Sequence, residues 1–112
     1  MKLAKLDNMI KGWFVGDFEP TMAASEHVEV GVKTYKAGDM DQPHYHRIAT
    51  EITCIIEGRV EMCGQVLEKG DIIEVEPGES NTFKALENTT LVVVKLPHAK
   101  GDKYLLEEES CS

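Results

Sequence analysis

The chain reads as an all-β protein, a sandwich or barrel of short strands. Two observations carry that reading. From residue 38 onward, turn signals built on glycine with aspartate, asparagine, glutamate or proline recur roughly every eight to twelve residues, and short strand-like runs stand between them. From His27 the chain alternates, with Val28, Val30 and Val32 on one side and Glu29, Gly31 and Lys33 on the other. That is the period of a half-buried strand, with the valines as its expected buried side. At 112 residues there is room for one domain.

Residues 1–12 carry Leu3, Leu6 and Ile10 at helical intervals, enough for one or two turns against the body or for a strand laid on a partner. Trp13, Phe14, Val15 and Phe18 form the densest aromatic cluster and read as core. Pro20 ends that segment, and residues 21–26 read as loop. His27 and His98 read as surface residues. Residues 36–39 make a turn by their glycine and aspartate. Pro43 lacks an N–H and suits a strand start or edge.

Residues 52–56 are an apolar, β-branched run, and Glu57-Gly58 after it reads as a hairpin turn. That register sets Ile55 opposite Val60 and Thr53 opposite Met62, with Glu51, Thr53, Ile55, Val60 and Met62 facing inward. Ile52, Cys54 and Ile56 then face outward, too apolar a strip for a solvated face, and something must cover it. Further turns fall at Gly64-Gln65, at residues 69–71, at residues 77–79 and at Glu87-Asn88. Strands are expected over residues 72–76, 82–86 and 90–96, and a short acidic helix over residues 105–109.

A formal net charge of −8 argues against nucleic acid or an anionic membrane as partner. No run approaches the length of a membrane span. The lysines near the start are followed by no continuous apolar stretch, so the expected address is the cytoplasm. Cys54, Cys63 and Cys111 are an odd count without framework spacing, which fits a reducing compartment. Cys54 and Cys63 are expected as thiols, as diagonal neighbours on the hairpin too far apart to bond.

The chemistry gathers between Gly38 and Gly58. His44 and His46 stand one residue apart, so in a strand both imidazoles share a face while Tyr45 points away. A short turn and a returning strand would bring Glu51 beside them. Two imidazoles and one carboxylate suit a first-row divalent metal with open coordination positions. Iron, manganese, nickel and zinc are not separated by ligand type alone.

The spacing of Gly38, His44, His46, Glu51 and Gly58 resembles the first motif of the cupin superfamily, filling each of its fixed positions. Residues 70–81 resemble the second motif. Gly70 and Gly78 match, but Pro77 falls one place late, Asn81 stands where the family places a third histidine, and Ala85 replaces the closing asparagine. The resemblance implies a double-stranded β-helix, a jelly-roll barrel, with its core over about residues 27–96. It also implies a mononuclear divalent-metal site at His44, His46 and Glu51, with Asn81 as a weak fourth ligand.

A small molecule is the expected occupant of the barrel, with Tyr35, Thr53 and Met62 lining it and oxygenase or isomerase chemistry within reach. Two other readings stand beside this one. One is a non-catalytic sugar- or carboxylate-binding module. The other is a metal-free sugar isomerase or epimerase using a histidine base, against which the lack of basic residues near the motifs counts. The outward apolar strip and the resemblance together imply a homodimer.

Overall fold

In the computed structural model, which describes residues 1–106, two five-stranded sheets face each other across one interior. The strands are β1 (Trp13–Val15), β2 (Glu29–Tyr35), β3 (Met40–Tyr45), β4 (Thr50–Glu57), β5 (Arg59–Met62), β6 (Gln65–Glu68), β7 (Ile72–Val75), β8 (Asn81–Ala85), β9 (Thr89–Leu96) and β10 (Tyr104–Leu105). The first sheet runs β1-β2-β9-β4-β7 and the second β10-β3-β8-β5-β6, with the paired strands antiparallel. From β3 to β9 the chain passes back and forth between the sheets, except at the β5–β6 hairpin. This is a jelly roll, as expected.

The passage between sheets corrects the expected hairpin at Glu57-Gly58. β4 pairs with β9 and β7, whereas β5 pairs with β6 and β8. The glycine is needed for the crossing itself. Gly58 has φ +91°, and a Cβ there would lie 2.3 Å from the Asn88 carbonyl oxygen. The inward residues are nonetheless those expected, because each strand alternates about the same interior: Glu51, Thr53, Ile55, Val60 and Met62 are all buried. The tight turn that follows is at Cys63-Gly64, both at positive φ, with Met62 paired to Gln65. Cys54 is thus in the first sheet and Cys63 in the β5–β6 turn of the second, and they are not bonded to each other. Cys111 lies outside the described residues.

A second correction concerns β2. Gly31 is buried and pairs with buried Val93, and Lys33 pairs with buried Leu91, so Val30 and Val32 fall on the outer side of the sheet. Across the first sheet the outer rows read Val30–Val94–Ile52 and Val32–Val92–Cys54–Ile72. The inner rows read Glu29–Lys95–Glu51–Val75, Gly31–Val93–Thr53–Ile73 and Lys33–Leu91–Ile55. The usual polarity of a sheet is reversed on this strand because the interior is a cavity for polar groups.

The dry core fills one end of the interior with Ile55, Val60, Met62, Leu67, Phe83, Ala85, Leu91 and Val93. Trp13 packs on its edge, above Gly31, where an added Cβ would come 2.7 Å from the indole. The N-terminal segment makes one 3-10 turn at Leu6–Asn8. Leu3, Leu6 and Ile10 stay exposed, and Leu6, Asp7 and Met9 form part of the cavity wall. The expected helix at 105–109 is corrected at Leu105, which lies in β10; residues 107–109 are outside the described residues. Among the described residues no helix is long and apolar enough to cross a membrane.

Candidate metal centre

Three strands deliver the polar end of the interior. His44 is next to last in β3, and His46 follows that strand. Glu51 enters on β4 from the opposite sheet, and Asn81 opens β8 directly across from His44. Convergence across the sandwich, rather than a β3–β4 hairpin, brings Glu51 to the histidines. All four side chains are buried, at 9% exposure or less.

Ligand-capable atoms of His44, His46 and Glu51 lie within 4.8 Å of one another. Two ligands each about 2.1 Å from one ion are at most about 4.2 Å apart. At the roughly 90–110° between neighbouring ligands of one ion that separation falls to about 3.0–3.4 Å, so the three side chains would draw together by up to about 1.4–1.8 Å to close on a cation. The rings of His44 and His46 meet edge to face at 5.2 Å. His44 Nδ1 donates to the Gln42 carbonyl oxygen at 3.0 Å, which leaves Nε2 as the nitrogen with a lone pair. Asn81 Nδ2 donates to Glu51 Oε2 at 2.7 Å.

Two buried atoms here have no hydrogen-bond partner: His46 Nε2 and Asn81 Oδ1. Orphaned buried polar atoms are costly, and an amide oxygen can only accept. Beside a carboxylate and a lone pair on His44, an unpartnered amide oxygen and imidazole nitrogen complete a ligand set that fits a cation. Burial, the nearby Lys95 ammonium and His44 push the His46 imidazole down to about 4, against the opposing pull of Asp102. His46 is therefore neutral at pH 7, the form that ligates.

The turn between His46 and Glu51 is held by a residue sequence reasoning missed. Buried Asp102 accepts amide hydrogen bonds from Arg47, Ile48 and Ala49 at 2.9–3.2 Å. Burial alone would raise its carboxyl, but those amides outweigh it and hold Asp102 below the usual carboxylate range. From the other side, the Gly78 N–H donates to the His46 carbonyl oxygen at 2.7 Å, tying the Pro77-Gly78 turn to the site. Nothing in the local sequence marks Asp102, which lies more than fifty residues from the amides it holds.

The site opens on a cavity of about 710 Å³ that His44, Glu51, Asn81, Tyr35, Met62, Phe83 and Trp13 help to line. Tyr35 and Met62 are where they were expected, but Thr53 is buried in the sheet and does not reach the cavity. Burial, then Asp41 and Glu51, push the Tyr35 phenol up, so its O–H stays a donor. His98 is not the surface residue expected: its side chain is 9% exposed and its Nδ1 lies 2.8 Å from Glu29 Oε2. The cavity is also lined by Lys11, Lys33, Lys95 and Lys103. Basic residues absent from the motifs in sequence thus reach them in space.

No family model and no curated protein matches the chain. Solved structures do. An uncharacterized conserved protein with a double-stranded β-helix domain from Klebsiella pneumoniae superposes with a TM-score of 0.68 at 24% identity, over 75% of this chain and 74% of that one. An RmlC-like cupin from Shewanella frigidimarina gives 0.60 at 22% identity, over 69% and 71%. Oxalate decarboxylase from Bacillus subtilis gives 0.61 at 21% identity, over 73% of this chain but 24% of that longer one. Likeness at this level of identity speaks to architecture alone, and it agrees with the two facing sheets and the inward His-His-Glu cluster: the chain has the double-stranded β-helix fold of the cupins.

Proposed function

We propose that the protein binds one divalent transition metal through His44, His46 and Glu51 and presents it to a small molecule in the adjoining cavity. The observation that carries this reading is the pair of partnerless buried polar atoms, His46 Nε2 and Asn81 Oδ1, beside a buried carboxylate. Bound there, the metal would supply Lewis acidity and open positions for chelating substrate oxygens. The chain's own groups do the rest. His44 is fixed by Gln42, and Asn81 aligns Glu51 through its amide donor. Tyr35 offers a phenolic O–H into the cavity, and Met62, Phe83 and Leu91 give it an apolar wall. A metal-free reaction with His46 as base is disfavoured, since a conjugate acid titrating at about 4 makes a poor base at neutral pH.

Metal content of the purified protein, with Glu51→Ala as control, tests the reading. Near-stoichiometric iron, manganese, nickel or zinc that is lost in the variant supports it. A protein that takes up none of these ions when they are offered overturns it.

The assembly proposed with this site is a homodimer through the outer face of the first sheet. What supports it is the apolar row of Val30, Val32, Val92, Val94, Ile52 and Cys54, with Ile56 and Ile72 exposed at its margins. The N-terminal segment is turned to the cavity and leaves this face to a second copy.

A further inference from the structure

One feature of the cavity is unused by the metal centre. Lys33 Nζ lies 4.6 Å from the Trp13 ring centroid and Lys95 Nζ lies 5.1 Å from it, so two ammoniums share one indole. Cross-strand register sets Lys95 between Glu29 and Glu51, the natural partners for its charge. Neither takes it. Glu29 lies against His98 at 2.8 Å, and Glu51 accepts from Asn81 at 2.7 Å. Among the described residues, neither Lys33 nor Lys95 has a carboxylate oxygen within ion-pair distance. Asp41 is in the cavity wall too and faces Lys33 without pairing with it.

We infer that Lys33 and Lys95, laid on Trp13, anchor the anionic group of the molecule whose other end reaches His44 and Glu51. This rests on the proposed metal reading for the far end only. Two like charges half-withdrawn from water on one aromatic face repel each other, and an entering carboxylate or phosphate relieves that repulsion. Burial first, and then Lys95 and Lys11, pull the Lys33 ammonium down, against the opposing pull of Asp41 and Glu29. Gly31 makes room for the arrangement, because any side chain there would push the indole off the lysines. The chain as a whole is acidic, at −8, yet the cavity lining carries Lys11, Lys33, Lys95 and Lys103 against Asp7, Asp41 and Glu51. A cavity of about 710 Å³ is in the range that small-molecule ligands fill.

The chain holds one tryptophan, so its fluorescence reports on this anchor. Metal-free and Mn²⁺-loaded protein would be titrated with oxalate, malonate, succinate, glycerol 3-phosphate and inorganic phosphate, and with neutral succinamide. At least one anion is expected to bind and perturb Trp13, and the order of affinities separates carboxylate from phosphate. Succinamide is expected not to bind. Lys33→Gln and Lys95→Gln should each weaken the anion by about tenfold or more with thermal unfolding little changed, and Lys33→Gln should also leave Mn²⁺ affinity little changed. Lys33→Arg and Lys95→Arg should restore most of the binding.

Anion binding that persists undiminished in the double glutamine variant, equal binding of succinamide, or no binding by any of the anions would overturn the anchor. Lysine-dependent binding by a protein that takes up no metal would uphold the anchor while the metal reading fell. Stoichiometric metal without lysine dependence would do the reverse.

Discussion

The two ends of the interior are built from the same strands and differ in almost everything else. On β4, Ile55 sits fully buried at one end and Glu51 at the other; on β8, Ala85 and Asn81 stand in the same relation, and on β9, Leu91 and Lys95. The apolar end needs nothing further, since every side chain there has apolar neighbours. The polar end buries two imidazoles, a carboxylate and a carboxamide, and leaves two polar atoms without partners. Burial of that kind weakens a fold unless something completes it. The difference teaches that stability is supplied at one end and spent at the other, where the proposed metal would restore it.

The contrast can be broken most severely from the apolar end. Ile55→Ala is expected to cost about 2–5 kcal/mol in urea unfolding, because a fully buried side chain leaves a cavity its rigid neighbours cannot close. Ile52→Ala, on the outer face of the same strand, should cost much less when measured on the monomer. Equal losses would mean that the outer face is covered from within the chain.

The polar end should show itself through pH. The folded-state value of His46 lies at about 4, below its unfolded value near 6.5, so the unfolded chain binds more protons between the two. In metal-free protein, stability should be constant above about pH 6.5 and fall on acidification toward pH 4, by on the order of 3 kcal/mol. His46→Gln should flatten that part of the profile. A wild-type curve flat from pH 7 to 4 would show that His46 is not desolvated as described.

Asp102→Asn loosens the turn that joins the two histidines to Glu51. With three amide bonds to a carboxylate weakened, a loss of about 1.5–3 kcal/mol is expected. Metal affinity should drop in the same variant although Asp102 is no ligand. Unchanged affinity with reduced stability would confine Asp102 to a structural part.

The outer face gives the smallest effect on the fold and a qualitative one on assembly. Ile52→Ser with Ile56→Ser should shift sedimentation from dimer to monomer. A wild-type protein that sediments as a monomer at micromolar concentration would remove the dimer from the account.

Much of this was legible in the sequence, and the limits have a physical pattern. His44, His46, Glu51 and the glycines around them are local, and strand periodicity sets which way His44 and Glu51 point, while His46 just past β3 turns inward with them. Strand positions followed from turn chemistry, which is also local. Pairing was not legible: β4 meets β9 across some forty residues, and the Glu57-Gly58 turn looks the same whether it closes a hairpin or crosses between sheets. The valines of β2 misled for a related reason. Alternation shows that two faces differ, but a polar cavity inside and an apolar face outside invert the usual meaning. Lys33, Lys95 and Asp102 escaped notice because their roles come from distant strands and loops that only the fold brings to the site.

The claim that the polar end is completed by a metal is tested most directly by titrating metal-free protein with Co²⁺, following visible absorption and heat together. One-to-one binding with a spectrum of mixed imidazole and carboxylate ligation is expected, weakened by about tenfold or more in Glu51→Ala. Absence of saturable binding, or the same binding in Glu51→Ala as in wild type, would contradict it.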